Sequence, residues 1–207
     1  MPLTPWFALK ASGCFAGVAA IVIAKISPRN HPYRTFGPAN YVTMARALLV
    51  ALVAGAIGEA GNDRIATGVA TVAVVTTLLD GVDGWLARQT GTSSAFGARF
   101  DLEVDALLIM ALSVLAWTFG KAGAWVLASG LLRYVFVVAG WIWPRMERPL
   151  EPSRRRQTVC VIQIAALIVV VSPVVARPAS DLIAAAALAV LAGSFLVDTL
   201  WLILRRP

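Results

Sequence analysis

About twenty consecutive apolar residues suffice to cross the hydrocarbon core of a bilayer, and this 207-residue chain supplies such a length repeatedly. Apolar stretches run over 6–26, 40–59, 65–88, 100–119, 122–143, 157–176 and 180–204. Only helices satisfy their own backbone within lipid, so each stretch is expected to be helical. The composition agrees: 59% hydrophobic and 14% charged residues, with a mean hydropathy of +0.78, are too apolar for one water-soluble core. Connections are short, and neither an internal repeat nor a low-complexity tract interrupts them. The expected fold is all-α, a polytopic membrane bundle of six core transmembrane helices preceded by one further helix. No length remains for a separate soluble domain.

Two readings stand open for residues 6–26. Lys10 and Lys25 flank an Ala-, Gly- and Val-rich stretch that is short for a full crossing, so it is either an interfacial or tilted helix or a seventh span. A cleaved signal peptide is not expected, because no basic stretch precedes the apolar part and no small-residue cleavage site precedes Lys25. The domain division is therefore 1–37, the N-terminal helix and its loop, and 38–207, the six-helix membrane domain.

The net charge of +7 does not indicate nucleic acid, because the basic residues lie mostly in short connections between spans. Lys25, Arg29, Arg34, Arg88, Arg99, Arg145, Arg148, Arg154, Arg155, Arg156, Arg205 and Arg206 fall on one side, and Arg64, Lys121 and Arg177 on the other. The richer side is expected to be cytoplasmic and to contact anionic lipid, giving a multi-pass protein of the cell (inner) membrane. Lys10, Arg46 and Arg133 lie within the apolar segments and take no part in that count. Cys14 and Cys160 fall inside apolar stretches and read as packing residues. The single histidine, His31, reads as a solvated loop residue beside Pro32. Carboxylates must then carry any chemistry.

Five of the eleven acidic residues, Asp80, Asp83, Asp101, Glu103 and Asp105, lie at the adjoining ends of two consecutive spans. Asp80 and Asp83 are three residues apart and Asp101 and Asp105 four apart, so each pair projects from one helical face. The connection between Arg88 and Arg99 contains Gly91, Thr92, Ser93, Ser94 and Gly97, which suits a turn, and the two helices form a hairpin. Four carboxylates can therefore converge. An intramembrane carboxylate costs roughly 2.5–3.5 kcal/mol on insertion scales, so the cluster requires compensation by pairing or by metal. All-oxygen ligation without histidine or thiolate favours a hard cation such as Mg²⁺, with Mn²⁺ or Ca²⁺ meeting the same preference, and four acids suffice for two ions. Compensation by Arg88, Arg99 and Arg133 is the structural alternative, and a cation pathway in a transporter is the alternative of another functional class.

The string Asp80-x2-Asp83-Gly84-x2-Ala87-Arg88-x8-Gly97-x3-Asp101-x3-Asp105 resembles the signature of the CDP-alcohol phosphotransferase (CDP-alcohol phosphatidyltransferase) family at every spacing. The resemblance implies a metal-dependent transferase of phospholipid biosynthesis, which moves a phosphoryl-alcohol group from a CDP-linked donor to a hydroxyl and releases CMP. It further implies two Mg²⁺ ions, one on Asp80, Asp83 and Asp101 and one on Asp80, Asp101 and Asp105, with Asp105 as general base. Gly84, Ala87, Arg88 and Ser94 would then contact the CDP donor. Upstream, Pro38-Ala39-Asn40-Tyr41-Val42-Thr43-Met44-Ala45-Arg46 resembles the start of the family's first core helix, with Asn40 and Thr43 facing the donor phosphates. A cap for Asn40 and packing for Thr43 is the plainer reading of the same two residues. Homodimers are usual in the family.

Burial of the active face in the membrane suggests a lipid donor, CDP-diacylglycerol, and an alcohol acceptor. A soluble CDP-alcohol with diacylglycerol as acceptor is the alternative. Arg133, inside its span, and Arg154, Arg155 and Arg156, in the 144–156 loop, are candidate acceptor contacts. The three consecutive arginines also suit a positive-inside anchor.

Overall fold

The computed structural model describes residues 3–33, 35–143 and 153–204. These form seven α-helices: α1 (Pro5–Lys25), α2 (Pro38–Gly55), α3 (Asp63–Thr90), α4 (Ala95–Thr118), α5 (Ala128–Ile142), α6 (Arg154–Val171) and α7 (Ala179–Leu204). A single 3₁₀ turn, Ala124–Leu127, leads into α5. Among the described residues there is no strand, and the chain is the expected polytopic helical membrane bundle. Arg34, residues 144–152 and the C-terminal Arg205 and Arg206 lie outside the described residues, and with them most of the predicted acceptor loop.

Helix boundaries follow local chemistry. Pro5 and Pro38 sit in the first turns of α1 and α2, where a missing N–H costs nothing. The Asn62 side chain caps α3 by accepting from the Ile65 N–H at 3.0 Å, and Ser94 caps α4 by accepting from the Gly97 N–H at 3.0 Å. Between them, Gly91 ends α3 with φ of 62°, a left-handed conformation that costs glycine nothing. The hairpin turn is thus only residues 91–94, far tighter than the interval from Arg88 to Arg99 suggests.

α1, α2, α3, Ala124–Ile142 and α7 are long and apolar enough to cross a membrane. The other two helices carry the charges that function or topology needs: Arg99, Asp101, Glu103 and Asp105 in α4, and three leading arginines in α6. α4 is the hub of the core, burying Val104, Leu108, Leu112 and Leu115 and contacting α2, α5 and α6.

α1 lies in the bundle, antiparallel to α2. Its N-terminal end is tied to the α2–α3 connection, where Glu59 accepts from the Thr4 N–H at 2.9 Å and from the Thr4 hydroxyl at 2.5 Å. Lys10 donates to the Ile57 carbonyl at 2.5 Å and to Glu59 at 3.2 Å, so its charge is neutralised at the helix end. Those two Thr4 bonds, aided by Lys10, hold the Glu59 carboxyl below its ordinary range. Ala11 and the Phe7 backbone pack on Gly55, where a methyl group would approach the Ala11 Cβ to 3.0 Å. α1 is long and apolar enough to cross a membrane, and it packs along α2.

The opposite end of the bundle, which carries the α3–α4 turn, is closed by the segment before α2. His31 corrects the sequence expectation of a solvated loop residue: it is buried, with its ring against Tyr33, Phe36 and Phe96. Its Nε2 faces the Thr35 carbonyl at 2.9 Å, which can only accept, and its Nδ1 meets the Ser94 hydroxyl at 3.1 Å. The loop between α1 and α2 is thereby fastened to the α4 cap.

Candidate active site

Asp80 and Asp83 lie on the last turns of α3, and Asp101 and Asp105 on the second and third turns of α4. Because the connection is one tight turn, both pairs end at the same depth and face α2. At that depth α2 presents Arg46, whose side chain is 1% exposed. The guanidinium pairs with all four acids: Nη2 with Asp80 at 2.9 Å and Asp105 at 2.5 Å, and Nη1 with Asp83 at 2.7 Å and with Asp101. Compensation therefore comes from α2, and not from Arg88, Arg99 or Arg133. Arg46 is the partner of these acids that the sequence did not single out. The signal was there, since an arginine inside an apolar stretch is a functional candidate by default.

The four acids are not equivalent. Asp83 is buried and receives a second bond from the Thr43 hydroxyl at 3.0 Å, which also donates to the Ala39 carbonyl at 3.1 Å. Asp80, Asp101 and Asp105 are more open, at 30%, 39% and 18% side-chain exposure, and each places an oxygen within 4.8 Å of the others. Asp105 uses Oδ1 on Arg46, while its Oδ2 has a long contact of 3.8 Å from the Cys160 thiol on α6. Cys160 is thus a wall of the site as well as a packing residue. That second carboxylate oxygen has no strong donor on it among the described residues.

The predicted donor contacts lie on α2, on α3 and at the cap of α4. Asn40, on the first turn of α2, donates to the Phe36 carbonyl at 2.5 Å and rests its Oδ1 on Gly97. Ser94 joins the α4 cap to His31, and the Ser93 hydroxyl reaches the Ala87 carbonyl at 3.3 Å. The exposed Arg88 lies over Gly84, where a Cβ would meet its Nη1 at 3.4 Å. The glycine leaves the face beside Asp80 and Asp83 open.

The arginines singled out for the acceptor are arranged differently. Arg133 pairs with Glu103 across α5 and α4. Arg155 donates to the Ser194 carbonyl at 2.9 Å, to its hydroxyl at 2.6 Å and to Asp198 at 2.5 Å, fastening α6 to α7. Arg156 stands 3.4 Å from Asp198, and Arg154 opens α6 in an exposed position.

Residues 36–199 match the family CDP-alcohol phosphatidyltransferase, from just before α2 to the last turns of α7. The chain belongs to that family. No solved structure matches it. CDP-alcohol phosphatidyltransferases are transferases of substituted phosphate groups that move phosphatidyl or phospho-alcohol groups from CDP-alcohols, and they depend on divalent metal. The aspartate cluster fits such an ion on its own chemistry: hard oxygen donors from three residues within 4.8 Å, in a place that already attracts a cation. With all four carboxylates ionised, a single guanidinium leaves three charges unmatched, a deficit that a divalent ion would offset. The acids also lie on helices that run unbroken through the site, unlike the interrupted helices of many transporter binding sites.

Proposed function

We propose that this CDP-alcohol phosphatidyltransferase transfers the phosphatidyl group of CDP-diacylglycerol to the hydroxyl of a small alcohol acceptor, with release of CMP. The observation that carries the reading is the convergence of the motif's acids from α3 and α4 on one point facing α2. Asp80, Asp83, Asp101 and Asp105 would hold two Mg²⁺ ions, which, when bound, neutralise the pyrophosphate and stabilise the leaving CMP oxygen. Asp105 takes the proton of the acceptor hydroxyl on Oδ2, the oxygen with only a thiol contact. The acceptor oxygen forms its bond to the lipid-bearing phosphorus, and the bond from that phosphorus to the bridging oxygen breaks, its electron pair leaving with CMP. Arg88 offers a guanidinium to the donor phosphates across the bare face at Gly84. Asn40, Thr43, Ala87 and Ser94 complete the donor side, Thr43 by holding Asp83.

A lipid donor is supported by the depth of the site between membrane helices. An apolar groove of about 520 Å³ between α5 and α7, lined by Leu132, Phe136, Ala139, Phe195 and Leu196, is of a size to take acyl chain. On the acceptor side, the exposed Arg154 at the start of α6 is the better candidate beside Arg133, because Arg155 spends its donors on α7 and Arg156 also stands against Asp198. The positive-inside count supports a cytoplasmic active face in the cell membrane, and the family resemblance supports a homodimer.

The test is CMP release from CDP-diacylglycerol by purified protein in detergent with Mg²⁺, offering glycerol 3-phosphate, inositol phosphate, inositol and serine separately. Release with one acceptor, abolished by chelator and restored by Mg²⁺, is the expected result. Turnover only with CDP-choline or CDP-ethanolamine plus diacylglycerol reverses the donor assignment, and silence with every pair rejects the reaction. Asp105→Asn should lower turnover by about 10²–10⁴-fold, and near-wild-type turnover with metal bound refutes its role as base.

A further inference from the structure

We propose that Arg46 is the counter-cation of the metal-free site, and that divalent ions enter by displacing its guanidinium from the four aspartates. The inference rests on the metal-dependent reading above and concerns what the chain's own arginine does toward that metal. The guanidinium holds two carboxylates on each terminal nitrogen, one from α3 and one from α4 in both cases. Three of those carboxylates belong to the residues that bring their oxygens within 4.8 Å of one another. A divalent ion on the same oxygens takes the lone pairs that the guanidinium uses and repels its charge at close range. Both cations cannot keep their full set of partners.

Arg46 is held by its ends: Nε is buried and has no hydrogen-bond partner among the described residues. The side chain grips the acids by its two terminal nitrogens alone, so one swing about its own torsions frees all four. Arg133 holds Glu103, and Arg155 holds Ser194 and Asp198, while Arg88 is exposed over Gly84. In the metal-free protein Arg46 keeps α3 and α4 drawn onto α2, and it lowers metal affinity by the same interaction. Competition is reciprocal, so removing the arginine weakens the metal-free protein and strengthens metal binding.

The test measures Mn²⁺ binding by electron paramagnetic resonance, and thermal unfolding with and without Mn²⁺, on detergent-purified wild type, Arg46→Met and Arg46→Lys. Arg46→Met should unfold at a lower temperature without metal, yet bind Mn²⁺ about tenfold more tightly than wild type. Arg46→Lys, a compact charge that cannot fork between four carboxylates, should fall between the two. Unchanged or weaker Mn²⁺ affinity in either folded variant overturns the proposal and leaves metal dependence standing. Failure of the wild type to bind Mn²⁺ overturns both. Should neither variant fold, ¹⁵N-arginine spectra of the wild type decide: Nη–H signals that shift as Mg²⁺ is added support displacement, and signals unmoved at saturation overturn it.

Discussion

Gly97 is the motif glycine to which no substrate contact is assigned, and packing between α4 and α2 explains it. A methyl group there would sit 2.8 Å from Asn40 Oδ1 and 3.3 Å from Ser94 Oγ. Asn40 has little freedom to retreat, because it is 5% exposed and its amide nitrogen is bonded to the Phe36 carbonyl at 2.5 Å. Gly97→Ala therefore either pushes α4 from α2 or turns Asn40 out of its bond. The first route costs about 1–3 kcal/mol as overpacking and the second about 0.5–1.5 kcal/mol as a lost hydrogen bond. A cost of about 1–3 kcal/mol should lower the apparent unfolding midpoint by about 2–12 °C. Displacement of α4 carries Asp101 and Asp105 with it, and misplacement of about 1 Å is enough to lose 10²-fold in turnover. Removing the obstacle should relieve the strain, so Asn40→Ala combined with Gly97→Ala should be less destabilised than the sum of the single variants. A Gly97→Ala protein as stable as wild type, or strictly additive effects, would refute the contact as the reason for the glycine.

Further outcomes follow from the polar ties between helices. Asp198→Ala strands Arg155 and loosens α6 from α7, so it should lower thermal stability while the KM for the acceptor stays within about threefold; a larger rise in KM would make the pair part of the acceptor site. Because Glu59 is held below the ordinary carboxylate range, its tie to Thr4 and Lys10 is complete above about pH 4.3 and is lost as pH falls through the lowered folded value. Hydrogen exchange at the start of α1 should therefore rise on acidification in the wild type, and Glu59→Gln should show high exchange at every pH. His31→Ala removes the acceptor of the Ser94 hydroxyl and an aromatic contact on Phe96, and should raise the KM for the CDP donor more than it lowers kcat if Ser94 serves the donor.

The bundle and the acidic hairpin were legible in the sequence because both are set by short-range rules. Apolar runs of bilayer length have no other stable form in lipid, and spacings of three and four place Asp80 with Asp83 and Asp101 with Asp105 on single faces. Only one tight turn separates the two helices, so convergence needed no knowledge of the other five. Helix limits fell within a few residues of the apolar runs, since caps and turn residues such as Asn62, Gly91 and Ser94 act locally.

Partners chosen across helices were another matter. That Arg46 meets all four acids, that Cys160 faces Asp105, and that Arg155 is taken up by Ser194 and Asp198 depend on which faces of α2, α6 and α7 turn inward. His31 was misread for the same reason, as a loop residue becomes buried only when aromatic side chains from its own segment and from α4 close around it. By itself the sequence determined which groups could do chemistry and on which hairpin they stand. Tertiary structure decided which cation each carboxylate meets, because a charge within a membrane must be neutralised by whatever packing brings within a few ångströms, and that neighbour need not be near in the chain.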